Sequence, residues 1–125
     1  MNNKFYISLE AAKLLKEKGY NEETDCTIDY NGAIWFGEYR DECDFPCITK
    51  AEAIDWLESK GIVVELRYDN DDLYKDDSEW VYYIYQYDNE GRLDETVSSW
   101  GMGMFYDTRL EAEEAAIIKA LELLN

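Results

Sequence analysis

The sequence contains no histidine. This absence excludes Ser–His and Cys–His catalytic dyads and imidazole metal ligands, and it leaves no side chain whose ordinary pKa lies near neutrality. Paired carboxylates can cleave glycosidic bonds without histidine, but among the 29 acidic residues of a 125-residue chain such pairs arise by chance. We therefore expect a protein that is not an enzyme and that binds no cofactor and no metal.

Positive charge is also scarce. The chain has 12 Lys and Arg residues against 29 Asp and Glu residues, which gives a net charge of −17. A surface this acidic repels the phosphates of bare nucleic acid and the anionic head groups of a membrane. The chain also lacks an apolar run of about 20 residues that would span a bilayer, and no apolar leader follows Met1. We expect a cytoplasmic protein that binds neither nucleic acid nor membrane directly.

Proline occurs once, and internal repeats, linkers and low-complexity tracts are missing. With 46% hydrophobic and 15% aromatic residues, the composition is typical of a folded chain rather than a disordered one. A chain of this length builds a single core. The sequence therefore predicts one domain over residues 1–125.

Three segments combine a helix-capping signal with apolar residues at helical spacing. The first begins at Ser8 and stops at Gly19. The second begins with the capping box Thr49–Glu52 and stops at Gly61. The third begins with Thr108–Glu111, and its expected core face consists of Leu110, Ile117, Ile118, Leu121 and Leu124. We predict three helices.

A short hairpin is expected between the first two helices. The segments Cys26–Tyr30 and Ala33–Phe36 flank Asn31-Gly32, a dipeptide typical of two-residue hairpin turns. Residues 38–47 are polar, lack periodicity and include Pro46, so they predict a connecting loop.

Longer strands follow the second helix. Aliphatic and aromatic residues favour strands over 62–68 and 80–87. A more polar edge strand is expected over 92–99, continuing through Met102 to Tyr106. The predicted fold class is therefore α+β: a mainly antiparallel sheet of about five strands, with the three helices packed chiefly on one face.

The three cysteines, Cys26, Cys43 and Cys47, permit a zinc site only if a carboxylate supplies the fourth ligand. The second cysteine pair that marks structural zinc motifs is missing. A reactive thiolate at Cys47, close before the Thr49 cap, would need a lysine or the helix N-terminus as its activator. Buried or loop thiols are the favoured interpretation, in a reducing compartment.

The segment from Asp69 to Glu79 concentrates carboxylates as calcium loops do. The order required of an EF-hand fails, because Leu73 occupies a ligand position and Tyr74 the position of the turn glycine. A solvated hairpin loop is favoured, since blocks of like charge repel one another. Similarly, Gly101 and Gly103 favour a bulge or a close backbone approach in a strand over a phosphate-binding loop, because no helix follows them directly.

Tyrosine is the remaining unusual feature, with eleven residues. Strand alternation over 80–87 places Trp80, Tyr82 and Ile84 on one face and Val81, Tyr83, Tyr85 and Tyr87 on the other. Either helices cover both faces, or one face is left as a tyrosine-rich surface of the kind enriched at interfaces. The candidate interaction surface consists of Trp80, Tyr82, Tyr83, Tyr85 and Tyr87 together with Asp69, Asp71, Asp72, Asp76 and Asp77.

Three segments carry a resemblance to known proteins: SLEAAKLLKEKGY at 8–20, PCITKAEAIDWL at 46–57 and YDTRLEAEEA at 106–115. In this order they resemble a group of short proteins from Bacteroidetes genomes, their phages and prophages, to which no activity is attached. The shared residues are helix caps and core faces rather than a site. The resemblance implies an accessory, phage-derived role and no chemistry.

Two functions fit these expectations. The first is a non-catalytic interaction module whose tyrosines and acidic loops bind a protein partner or a second copy of the chain. The alternative is a nucleic-acid mimic that inhibits a basic DNA- or RNA-binding protein, favoured by the 11 acidic against 3 basic residues in 61–100. Mimicry requires carboxylates in rows on one surface, whereas a charge that only keeps the domain soluble is spread around the fold.

Overall fold

The computed structural model describes residues 5–22, 24, 26–37, 44–69 and 79–124. Its helices are α1 (Leu9–Glu17), α2 (Lys50–Ser59) and α3 (Arg109–Leu123). The hydroxyls of Ser8, Thr49 and Thr108 each accept a hydrogen bond from a backbone amide of the first helical turn. Each cap contributes about 1 kcal/mol. The predicted starts of all three helices are confirmed.

The strands form two antiparallel sheets. The first, here the small sheet, contains β1 (Cys26–Ile28), β2 (Ile34–Phe36) and β3 (Phe45–Cys47) in the order β2-β1-β3. The second, here the large sheet, contains β4 (Ile62–Asp69), β5 (Glu79–Tyr87) and β6 (Leu93–Ser98) in the order β4-β5-β6. The α+β class with three helices is confirmed, but the expected single sheet of about five strands is wrong.

The small sheet contains the predicted hairpin and one strand that the sequence did not predict. The carboxylate of Asp29 closes the β1–β2 turn by accepting from the amides of Asn31 and Ala33. Residues 45–47, expected to be loop, form β3, in which Pro46 lies opposite Thr27. Because β3 is an edge strand, one side of it needs no backbone donors, and a proline is tolerated there.

The large sheet pairs β4 with β5 in continuous register from Ile62 opposite Gln86 to Asp69 opposite Glu79. A register shift between Ile84 and Tyr85 interrupts the pairing of β5 with β6. The expected continuation of β6 to Tyr106 is wrong, since residues 99–103 form a turn before Tyr106 pairs with Trp80 as an isolated bridge. The glycines of this turn therefore do not lie in a strand bulge.

The core lies between the large sheet and the helices. The face of the large sheet that we call the inner face contributes Ile62, Val64, Leu66, Tyr82, Ile84 and Val97 to it. Helices α2 and α3 contact this sheet, and α1 contacts α3 and β3. On α3 the buried apolar residues are Ala112, Ala116, Ile117, Ala120 and Leu121, whereas Leu110, Ile118 and Leu124 of the predicted core face are only half-buried. Within the described ranges, no helix has the length and apolarity needed to cross a membrane.

Candidate functional site: the outer face of the large sheet

The opposite side of the large sheet, here called the outer face, carries the alternate residues of its three strands. It consists of Val63, Glu65 and Arg67 on β4, Val81, Tyr83, Tyr85 and Tyr87 on β5, and Leu93, Glu95 and Ser98 on β6. None of these residues belongs to the described hydrophobic core that the inner face forms with the helices.

Exposure varies along the outer face. Tyr87 and Leu93, opposite each other in register, are 55% and 46% exposed. Tyr83 and Tyr85 are half-buried by their neighbours on the sheet. Val81 is buried at the other end, between the points where the backbones of Ser99 and Tyr106 bond to β5. The most accessible part of the outer face therefore lies at the β5–β6 turn.

The inner-face members of the predicted interaction surface lie elsewhere. Tyr82 is only 2% exposed, and burial raises the pKa of its phenol to about 12. Its inclusion in an interaction surface is therefore wrong, because the helices cover the inner face. Trp80 is half-buried on the same side and packs on Tyr68, with ring centroids 5.2 Å apart. The alternation along β5 predicted which residues share a face of the sheet, but it did not predict which of the two faces the helices cover.

The predicted acidic residues can be placed only in part. Asp69 ends β4 opposite Glu79. Four carboxylates of the expected loop lie outside the described residues: Asp71, Asp72, Asp76 and Asp77.

A closed network of side chains occupies the β4 side of the outer face. The Arg67 Nε donates to Glu65 Oε1 at 2.8 Å, and its Nη2 donates to the Tyr85 hydroxyl at 3.1 Å. That hydroxyl donates in turn to Glu65 Oε1 at 2.8 Å. The guanidinium lies 4.1 Å from the ring centroid of Tyr83. Four side chains on two strands thus hold one another in place.

The network shifts the pKa values of its members in consistent directions. Partial burial by itself raises the pKa of Glu65, but the hydrogen bonds from Tyr85 and Arg67 outweigh it and place the pKa of this carboxyl below its ordinary value. The hydrogen bond to Glu65 raises the pKa of Arg67. Burial, and then the hydrogen bond to Glu65, raise the pKa of Tyr85. All three groups therefore keep their neutral-pH charge states.

Further carboxylates border the outer face at its exposed end. Glu95 lies directly opposite Tyr85 on β6 and is exposed. In the following turn, Arg92 is 3.4 Å from Asp88 and 2.5 Å from Glu90. Both cations of this region, Arg67 and Arg92, thus already contact carboxylates of the chain.

A second group of exposed aromatic residues lies near the small sheet and was missed by the sequence analysis. Tyr30 and Trp35 are 69% and 62% exposed, and Phe5 and Phe36 are also exposed. The Trp35 indole donates to Asp29 at 2.8 Å, and this bond is the main cause of a lowered pKa of Asp29. The three-residue strands of this sheet are too short for alternation to reveal which residues are exposed.

Two of the three thiols meet within the small sheet. Cys26 lies opposite Cys47, and its Sγ donates to the Cys47 carbonyl at 3.0 Å. Both are buried, and burial raises the pKa of the Cys47 thiol, so it is a poor nucleophile and metal ligand. Cys43 lies outside the described residues, and within those described no group of three or more Cys, Asp or Glu side chains is placed to hold a metal ion.

Among the described residues, one cation is buried. Lys50, at the start of α2, donates to the Tyr6 carbonyl at 2.8 Å and lies 4.0 Å from Glu114 of α3. Burial lowers the pKa of Lys50, and the nearby Glu114 only partly opposes this effect. The adjoining cavity of about 210 Å³ is smaller than the ~300 Å³ at which ligand pockets begin. We interpret this pair as a structural link between α2 and α3.

Comparisons were made with protein families, curated proteins and solved structures. None of them matches this chain. The resemblance to proteins of Bacteroidetes and their phages therefore stays a prediction, and function must be argued from the surface itself. On the part of that surface that the structure describes, the outer face combines the three tyrosines Tyr83, Tyr85 and Tyr87 with a closed network of four side chains.

Proposed function

We propose that the protein is a non-catalytic interaction module that binds a basic partner protein through the outer face of the large sheet. The observation that carries this proposal is the arrangement of Tyr83, Tyr85 and Tyr87 on the sheet face that lies outside the described hydrophobic core. Tyrosine offers a large apolar ring and a polar hydroxyl at a low cost in side-chain entropy, and it is enriched in protein interfaces.

Charge favours a basic partner over a second copy of the chain. At a net charge of −17 two copies repel each other, whereas a basic protein is steered toward the acidic surface. The carboxylates Glu90 and Glu95 stand at the exposed end of the outer face. An aromatic centre with charged groups around it is the usual anatomy of a protein–protein interface.

The test compares binding by two double variants. Tyr87→Ala/Leu93→Ala removes the opposed exposed pair of the outer face, and Phe5→Ala/Tyr30→Ala removes one tyrosine and one apolar side chain of similar exposure elsewhere. We expect a basic protein captured from lysate by the unaltered chain to be lost from the first variant and retained by the second. Equal capture by both variants, or loss from the second alone, would refute the proposal.

A nucleic-acid mimic is the second candidate, and α2 carries the observation that favours it. Glu52, Asp55 and Glu58 are exposed at every third position of this helix. They rise about 4.5 Å per step along its axis, somewhat more than the ~3.4 Å axial rise per phosphate on one DNA strand. On this view α2, rather than the outer face, occupies a phosphate-binding groove.

The two candidates differ in salt response and competitor. A mimic releases its partner in high salt, and DNA or RNA displaces it, because both compete for the same basic groove. The triple variant Glu52→Gln/Asp55→Asn/Glu58→Gln should abolish binding in that case. If this variant binds normally and nucleic acid does not compete, mimicry by α2 is excluded.

A further inference from the structure

The outer face already holds one guanidinium, and its geometry shows how. Arg67 stacks 4.1 Å above the ring of Tyr83. Glu65, which lies directly opposite Tyr83 in the register, accepts from the Arg67 Nε at 2.8 Å. One tyrosine ring and one carboxylate on the neighbouring strand therefore bind the flat face and the edge of the same cation.

The same pairing recurs one step along β5. Tyr85 lies directly opposite Glu95, now on β6 rather than β4. Glu95 is exposed, and within the described chain no cation lies within ion-pairing distance of it. The exposed ring of Tyr87 follows on the same face. A half-buried tyrosine ring, whose hydroxyl already bonds to Arg67 and Glu65, thus lies beside an exposed and uncompensated glutamate, in the cross-strand arrangement seen around Arg67.

We infer that Tyr85, Tyr87 and Glu95 bind an arginine side chain of the partner protein. This inference rests on the proposed function and specifies what the partner presents. A guanidinium is planar, weakly hydrated and able to donate two parallel hydrogen bonds to a carboxylate while it stacks on a ring. A lysine ammonium lacks the flat surface and the fork of donors, so the site discriminates between the two cations.

The test uses two peptides, acetylated Gly-Val-Arg-Val-Gly amide and its lysine counterpart, in NMR titrations of the labelled full chain. We expect the arginine peptide to bind about five-fold more tightly and to shift the ring signals of Tyr85 and Tyr87. Glu95→Gln should weaken binding of the arginine peptide about five-fold. The matched control Glu58→Gln, an exposed carboxylate on α2, should leave it unchanged.

Equal affinity for both peptides, no binding of either, or equal effects of Glu95→Gln and Glu58→Gln would overturn the inference. Failure of the proposed function is detected separately, by a partner protein that binds Tyr87→Ala/Leu93→Ala as well as the unaltered chain. If that variant loses the partner while the two peptides bind equally, the outer face is an interface but not an arginine site.

Discussion

At the end of the large sheet, a backbone amide of β5 donates its hydrogen bond to the side-chain hydroxyl of Ser99 rather than to a backbone carbonyl. Ser99 is completely buried, its backbone amide donates to the Tyr82 carbonyl at 2.9 Å, and its Oγ accepts from the Tyr82 amide at 2.8 Å. Substitution Ser99→Ala keeps the first bond and removes the second. The amide of Tyr82 is then left buried without an acceptor.

An unsatisfied buried donor costs about 1–3 kcal/mol, so we expect Ser99→Ala to lower the free energy of unfolding by about 2 kcal/mol. With a urea m value of about 1.5 kcal/mol per molar, the unfolding midpoint falls by roughly 1.3 M. Fluorescence from the four tryptophans would follow the transition. The m value itself should not change, because the surface exposed on unfolding is the same.

The neighbouring residue supplies the control. Ser98 Oγ accepts from the Gly101 amide at 2.8 Å, but this hydrogen bond is exposed to solvent. Water replaces it in Ser98→Ala, and we expect a loss below about 0.5 kcal/mol. If the two alanine variants are equally destabilised, the cost does not arise from burial of the Tyr82 amide, and the reasoning fails.

Three further outcomes follow from the structure. The pKa of Tyr82 is raised to about 12 in the folded chain. The contribution of the neutral Tyr82 phenol to stability is therefore complete below the unfolded pKa of about 10 and is lost as the pH rises through 12. Urea titrations at successive pH values should show this decline in the unaltered chain and a flatter one in Tyr82→Phe. The lowered pKa of Glu65 gives the opposite dependence, with a contribution present at neutral pH and lost as the pH falls through the folded value. Because the side chains of Glu65 and Arg67 are still 43% and 51% exposed, Glu65→Gln should cost less than about 1 kcal/mol at pH 7. A constant difference at all pH values would contradict this prediction. Cys26 and Cys47 should resist alkylation in the native protein and react on unfolding, as mapped by peptide mass spectrometry; rapid labelling of either thiol under native conditions would show that the small sheet opens.

Local elements of this fold were predictable because their signals are local. Capping hydroxyls at Ser8, Thr49 and Thr108 marked the helix starts, and Asn31-Gly32 marked a hairpin turn. Strand β3 was missed because Pro46 lacks an amide donor and indicates a loop unless the strand is known to lie at an edge. The division into two sheets was missed because strand patterns do not specify pairing partners.

From the sequence, the candidate site could be predicted only as one of the two faces of the strand over 80–87. Alternation separated Tyr82 from Tyr83 and Tyr85, but the choice of covered face depends on how α2 and α3 pack, which is a long-range property. To predict that Glu65 lies opposite Tyr83 and Glu95 opposite Tyr85, one must know the register of all three strands. The register shift after Ile84 means that the second pair cannot be found by counting residues along the sequence.

The position of α3 in the chain has a consequence for biosynthesis. This helix contacts α1, α2, β4 and β5, yet of the described elements it leaves the ribosome last. Until then, β4 and β5 lack the contacts that α3 makes with them, and the inner-face residues on that side are open to chaperones and to other nascent chains. A stalled chain ending before Arg109 would therefore expose part of the inner face, including the side on which Tyr82 lies, in addition to the outer face.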